Sequence, residues 1–196
     1  MRIRRPKQVL VAALAGTLMA LASPTVAGAQ SAPSSDLKPV ALRDVMAASS
    51  AGKSVAAVTY YGIGNKKSGK FIQPLGGSSA NGTKVVQQEF NTNSLTQLWV
   101  RIPDGDYLSF QNYSGRNLGI DGASTANGAN AIIANGSGDA NQDWKVVGRD
   151  ESTFELRNRK SGKCLGIVDA STANGAQAAQ FTCNSNDANQ GWSYYK

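Results

Sequence analysis

Three near-copies of one five-residue stretch constrain this chain more than anything else in it. They are Ser-Ser-Ala-Asn-Gly at Ser78 to Gly82, Ser-Thr-Ala-Asn-Gly at Ser124 to Gly128, and the same five residues at Ser171 to Gly175. Each is followed by a Gln-x-Trp step: Gln97 and Trp99, Gln142 and Trp144, Gln190 and Trp192, which account for all three tryptophans. The Asn-Gly steps lie 46 and 47 residues apart and the tryptophans 45 and 48 apart. A fixed period of this size marks a repeat architecture, in which each unit buries its apolar face only against its neighbours.

Inside each period the apolar residues alternate. Tyr61-x-Ile63-x-Asn65, Leu108-x-Phe110-x-Asn112 and Phe154-x-Leu156-x-Asn158 open the three units and run into Ser-Gly turns at Ser68, Ser114 and Ser161. Period two is the signature of strands. A second short strand follows each turn, at Phe71-Ile72, Leu118-Gly119-Ile120 and Leu165-Gly166-Ile167, and then comes Ala-Asn-Gly, whose Asn-Gly step suits a tight hairpin. A third strand, at Val85-Val86 and Ile132-Ile133, leads through a polar loop to the Gln-x-Trp. The expectation is an all-β domain of three four-stranded repeats. A propeller usually needs four or more blades, so three units closing about a pseudo-threefold axis fit better.

The ends of the chain differ from this pattern. Arg2, Arg4, Arg5 and Lys7 precede an apolar run from Val9 to Ala22 and a small-residue site at Ala27-Gly28-Ala29, the layout of a secretory signal peptide over residues 1–29 cleaved near Ala29. The apolar run is too short for a membrane span, which needs about 20 residues. Loss of residues 1–29 lowers the formal charge from +7 to +3, and the remaining cations are mixed with acids, so no nucleic-acid partner is expected. Residues 30–57, rich in Ser, Ala and Pro and without an aromatic residue, read as a flexible N-terminal tail or linker, in which Leu37, Val40, Ala41, Asp44 and Val45 suit one or two amphipathic helical turns with Asp36 as a cap. The domain itself spans 58–196, with repeats at about 58–106, 107–152 and 153–196.

Four segments of the last repeat, Ser161-Gly162-Lys163-Cys164-Leu165, Ser171 to Gly175, Gln180-Phe181-Thr182-Cys183 and Asn189-Gln190-Gly191-Trp192, together resemble the ricin B-type lectin family. The resemblance covers Tyr60 to the C-terminus and implies a β-trefoil, a fold whose members commonly bind carbohydrate. It also implies a disulfide between Cys164 and Cys183, the only two cysteines, in keeping with export. The regular spacing of Trp99, Trp144 and Trp192 argues for core packing rather than sugar stacking, with Gln97, Gln142 and Gln190 meeting buried backbone groups.

For sugar binding the family pattern brings together an acid just after Cys-Leu, an aromatic ring two residues before the second Cys, and an Asn before the Gln-x-Trp. A carboxylate and an amide bond adjacent hydroxyls while the apolar sugar face lies on the ring. The third repeat has Phe181 and Asn189, but Gly166 stands at the acid position; Asp169, three residues on, is the candidate carboxylate. The second repeat has Asn141 with Gly119 and Ala134 in the other two places, and Asp121 as its nearby acid, which makes it the weaker candidate. The first has Gln73, Gln88 and Thr96.

The chain has no histidine, which removes Ser-His-Asp and Cys-His catalysis and His-based metal sites. Its acids show no repeated pairing of the kind glycoside hydrolysis needs. The expectation is therefore a secreted, non-catalytic, monomeric saccharide- or polysaccharide-binding protein without cofactor, metal or membrane span. The alternative is a trefoil scaffold that uses its loops against another protein, for instance as a secreted protease inhibitor.

Overall fold

A computed structural model of the chain describes residues 38–47 and 58–196. The expected signal peptide lies outside the described residues. Within them are one short helix, α1 (Leu42–Ala47), and twelve strands. The first repeat supplies β1 (Gly62–Asn65), β2 (Phe71–Pro74), β3 (Val85–Gln88) and β4 (Trp99–Asp104). The second supplies β5 (Tyr107–Asn112), β6 (Asn117–Ile120), β7 (Ala131–Ala134) and β8 (Asp143–Gly148), and the third β9 (Phe154–Asn158), β10 (Cys164–Ile167), β11 (Ala178–Phe181) and β12 (Trp192–Tyr195).

The first and last strands of the repeats close a six-membered antiparallel ring. β4 pairs β5, β5 pairs β8, β8 pairs β9, β9 pairs β12, β12 pairs β1, and the bridge from Tyr61 to Trp99 joins β1 to β4. The hairpins β2–β3, β6–β7 and β10–β11 cap the ring and touch one another through the bridges Lys84–Ile132, Asn130–Ala179 and Val86–Gln177. This is a β-trefoil. Closure removes exposed sheet edges, and no single hairpin could bury its apolar face alone.

The alternating residues of the sequence fill the interior: Ile63, Phe110, Leu156, Ile72, Leu118 and Leu165 are all buried. The tryptophans close the core. Each is fully buried, and its ring nitrogen donates to a carbonyl of the second strand of its own repeat: Trp99 to Ile72, Trp144 to Leu118 and Trp192 to Leu165, at 3.0–3.1 Å. A large apolar ring with one satisfied polar handle suits such a position.

Two expectations need correction. The Asn-Gly steps do not form the tight hairpin turns. The left-handed pairs that such turns require fall earlier, at Gly76-Gly77, Gly122-Ala123 and Asp169-Ala170, each closed by a bond from the following serine N–H to the carbonyl three residues back. The connection from second to third strand is long, and Asn-Gly sits in a second turn within it. There each glycine N–H donates across to the next repeat, Gly82 to Ile133, Gly128 to Gln180 and Gly175 to Gln87. The asparagines do likewise, Oδ1 of Asn81, Asn127 and Asn174 accepting from the N–H of Asn135, Thr182 and Glu89. The repeated motif is a clamp between repeats, which is why it recurs in phase.

The second correction concerns the tail. Residues 38–45 are not a free linker. Pro39 bridges Tyr195, the Val40 and Leu42 N–H groups donate to the carbonyls of Tyr194 and Glu151, and Val45 is buried in the core cluster. Arg101 ties the segment down, its Nη1 donating to the Val45 carbonyl at 2.6 Å while its guanidinium lies 5.3 Å from the centre of the Tyr194 ring.

Candidate functional site

The third repeat's loop from Thr182 to Gln190 is held from every side. The disulfide between Cys164 and Cys183, with Cα atoms 4.9 Å apart, pins its start to β10. Gln190 braces it from within: its Nε2 donates to the Thr182 carbonyl at 3.1 Å, and its Oε1 accepts from the Asn184 N–H at 3.0 Å. Arg149, from the second repeat's last turn, donates to the carbonyls of Asn184 and Asp187, both at 2.8 Å, and pairs with the buried carboxylate of Glu155 at 2.9 Å. Asn65, from the first repeat, donates to the Asn189 carbonyl at 2.7 Å. Glu155 also lies near both cysteine sulfurs, but these are spent in the disulfide and its carboxylate is paired with Arg149, so the cluster is not a metal site.

These restraints fix Asn189. Its side chain reads the backbone of Ile167 at both ends, Oδ1 accepting from the N–H at 3.1 Å and Nδ2 donating to the carbonyl at 2.9 Å. An amide keeps one further lone pair and one further proton in that arrangement. Phe181, at the end of β11, is half-buried and stands across from Cys164 in the β10–β11 ladder. Between them lies Gly166. A Cβ added there would sit 3.2 Å from Asn189 Nδ2 and 3.2 Å from Phe181 Cδ2. Ring and amide, with Gln190 Cγ at the same 3.2 Å, therefore converge on the backbone of Gly166 and leave no room for a side chain there.

Asp169 stands apart from that pair. It occupies the first left-handed position of the turn after β10, with φ 55°, where the first two repeats have Gly76 and Gly122. Asp tolerates this backbone better than most residues. Its side chain is exposed and makes no hydrogen bond or ion pair to any described residue. Asp121 is not its counterpart, since it sits one place earlier in its turn, where the third repeat has Val168. In the second repeat Asn141 Nδ2 donates to the Ile120 carbonyl at 3.1 Å, but Ala134 supplies no ring, and a Cβ on Gly119 would meet Gln142 at 3.0 Å. In the first, the Thr96 methyl lies 3.2 Å from where a Cβ on Gly77 would stand.

Sequence reasoning missed the supports. Asn65, Asn112 and Asn158 donate to the carbonyls of Asn189, Thr96 and Asn141, a threefold set of braces under the three loops. Their in-phase position at the end of each opening strand was the available signal. Nothing in the sequence pointed to Arg149.

The family model for the ricin-type beta-trefoil lectin domain matches residues 59–192. The chain belongs to that family. No curated protein sequence matches it. Among solved structures it is similar to ThreeFoil, a designed threefold-symmetric protein, at 31% identity and TM-score 0.67 over 70% of this chain and 98% of that one. It is also similar to part of 1,3Gal43A, an exo-β-1,3-galactanase from Clostridium thermocellum, at 28% identity and TM-score 0.68; the match covers 74% of this chain but only 31% of the galactanase. The Macrolepiota procera ricin B-like lectin, solved with lactose, shares the fold at 19% identity and TM-score 0.60, over 72% of this chain and 98% of the lectin.

Proposed function

We propose that this protein is a secreted, monomeric, non-catalytic lectin that binds saccharide or polysaccharide through a shallow site in its third repeat. The observation that carries the site is the convergence of Phe181 and Asn189 on Gly166, each within 3.2 Å of the missing side chain. The ring takes the apolar C–H face of a pyranose, and the remaining proton and lone pair of the Asn189 amide meet an adjacent hydroxyl. Asp169 is the carboxylate nearest in sequence to Gly166, and it joins the site by reaching back over the turn when a sugar is bound. The acid the family pattern places after Cys-Leu is absent, so individual affinity is low. Two supports bear on the wider reading. The chain belongs to a lectin family, and its single disulfide suits an oxidising compartment.

The test is a glycan and polysaccharide screen on the mature chain from Gln30, with lactose and galactans included because of the proteins it resembles. Phe181→Ala, confirmed folded by circular dichroism, runs beside it. Sugar-competable binding that falls at least about fivefold in the variant supports the site, the loss of one ring contact being worth about 1 kcal/mol or more. Binding that persists unchanged moves the site elsewhere. A wild-type protein that binds no glycan turns the assignment toward a loop-mediated protein partner.

A further inference from the structure

The chain has four Asn-Gly steps, and only three of them are clamps. At Asn81-Gly82, Asn127-Gly128 and Asn174-Gly175 the glycine N–H donates to the next repeat at 2.7–2.8 Å, and the asparagine Oδ1 accepts from that repeat at 2.7–3.2 Å. The fourth step, Asn135-Gly136, follows β7 and is held differently. The Asn135 main chain is tied down on both sides, its N–H donating to Asn81 Oδ1 at 2.7 Å and its carbonyl accepting from Gln142 Nε2 at 2.9 Å. The Gly136 N–H, by contrast, makes no hydrogen bond to a described residue. Asn135 is exposed, and its Oδ1 accepts from the Arg116 guanidinium rather than from a backbone amide.

We propose that Asn135-Gly136 is a modification site, where the asparagine converts spontaneously to aspartate and isoaspartate while the three clamped asparagines are protected. The Gly136 nitrogen gives its proton to solvent base and attacks Asn135 Cγ; the bond from Cγ to Nδ2 breaks, ammonia leaves, and a succinimide ring remains. Water then opens the ring at either carbonyl. Glycine permits the attack because it has no side chain to shield the nitrogen. At a clamp the same attack must first give up the glycine N–H bond and the bond that fixes Oδ1, and it strands a carbonyl of Ile133, Gln180 or Gln87. At Asn135 the attacking nitrogen gives up no bond to the protein, and Arg116 donates to the oxygen on which negative charge develops. The aspartate product sets a carboxylate against Arg116 in place of the amide. The isoaspartate product lengthens the main chain by a methylene and moves the carbonyl that Gln142 holds out of it, which loosens the loop leading to Asn141. The inference is independent of the lectin reading.

The experiment incubates the mature chain from Gln30 at mildly alkaline pH, below its melting transition, beside a sample unfolded and reduced in guanidinium chloride. Peptide mapping by mass spectrometry, with electron-transfer fragmentation to separate aspartate from isoaspartate, reads the rate at each of the four asparagines. In the native protein Asn135 is expected to convert at least about tenfold faster than Asn81, Asn127 or Asn174, the two hydrogen bonds of a clamp being together worth about that factor. In the unfolded sample, where sequence alone decides, the four rates draw together. Arg116→Gln, with its fold checked by melting, slows the native conversion at Asn135 and leaves the unfolded rates unchanged. The proposal is overturned if Asn135 converts no faster than the clamped asparagines in the native protein, or if the clamped asparagines convert as fast folded as unfolded. An unchanged native rate in Arg116→Gln overturns the part given to Arg116, and the wild-type comparison stands without that variant should it fail to fold.

Discussion

Gly166 and the left-handed turns show how much single backbone positions decide in this protein. At 166 the absence of a side chain lets Phe181, Asn189 and Gln190 close on the backbone, each 3.2 Å from where a Cβ would stand; at Ala123 and Ala170, with φ of 50° and 48°, a side chain is present where the backbone disfavours one. An L-residue in that region costs about 1–2 kcal/mol, partly offset by the greater entropy glycine loses on folding. Ala123→Gly and Ala170→Gly are each expected to raise stability by about 0.5–1 kcal/mol, read as a higher urea midpoint with an unchanged m-value. A lower midpoint would mean that the alanine methyl makes packing contacts worth more than the strain. The residues at these turns were only partly legible. Asn-Gly was recognisable as a turn from its own chemistry, but which of two turns it formed depended on Asn135, Thr182 and Glu89, partners 54, 55 and 85 residues away.

At the level of elements, one position in the trefoil is solved three ways. The third repeat ties Cys164 to Cys183, the first packs Phe71 on Phe90, and the second sets Asn117 beside Gly136, whose added Cβ would meet the Asn117 amide at 3.3 Å. The disulfide, closing a loop of 19 residues, contributes about 3 kcal/mol, chiefly by restricting the unfolded chain. The segment before the domain is the element the sequence concealed. Its composition suggests disorder, yet Val45 is buried in the same core cluster as Tyr194 and Tyr61. A few apolar residues suffice when they join a core the domain already supplies. Burying one valine is worth about 1.5–3 kcal/mol, before the backbone bonds at Val40 and Leu42 are counted. A chain starting at Val58 is therefore expected to melt roughly 5–10 °C below one starting at Gln30. Equal melting temperatures would show that the docked segment contributes nothing to the fold.

Over the whole molecule, the trefoil was legible because three in-phase motifs report a shared core, and the buried alternating strands and the Trp ring bonds follow from the same pattern. The candidate site was less legible. Phe181 and Asn189 meet over Gly166 because Asn65 from the first repeat and Arg149 from the second hold the third repeat's loop in place. A site positioned by three repeats cannot be read from one. The Asn-Gly clamps tie each connection between second and third strands to the next repeat before a ligand arrives, which limits the ordering cost of binding. The most direct check of the central claim is a two-dimensional amide NMR titration of the mature chain with the best-binding oligosaccharide from the screen. The account predicts shift changes centred on Gly166, Ile167, Phe181 and Asn189, saturating with the same affinity as calorimetry. Saturable binding whose shifts lie wholly outside the third repeat, with those four amides unmoved, would contradict it.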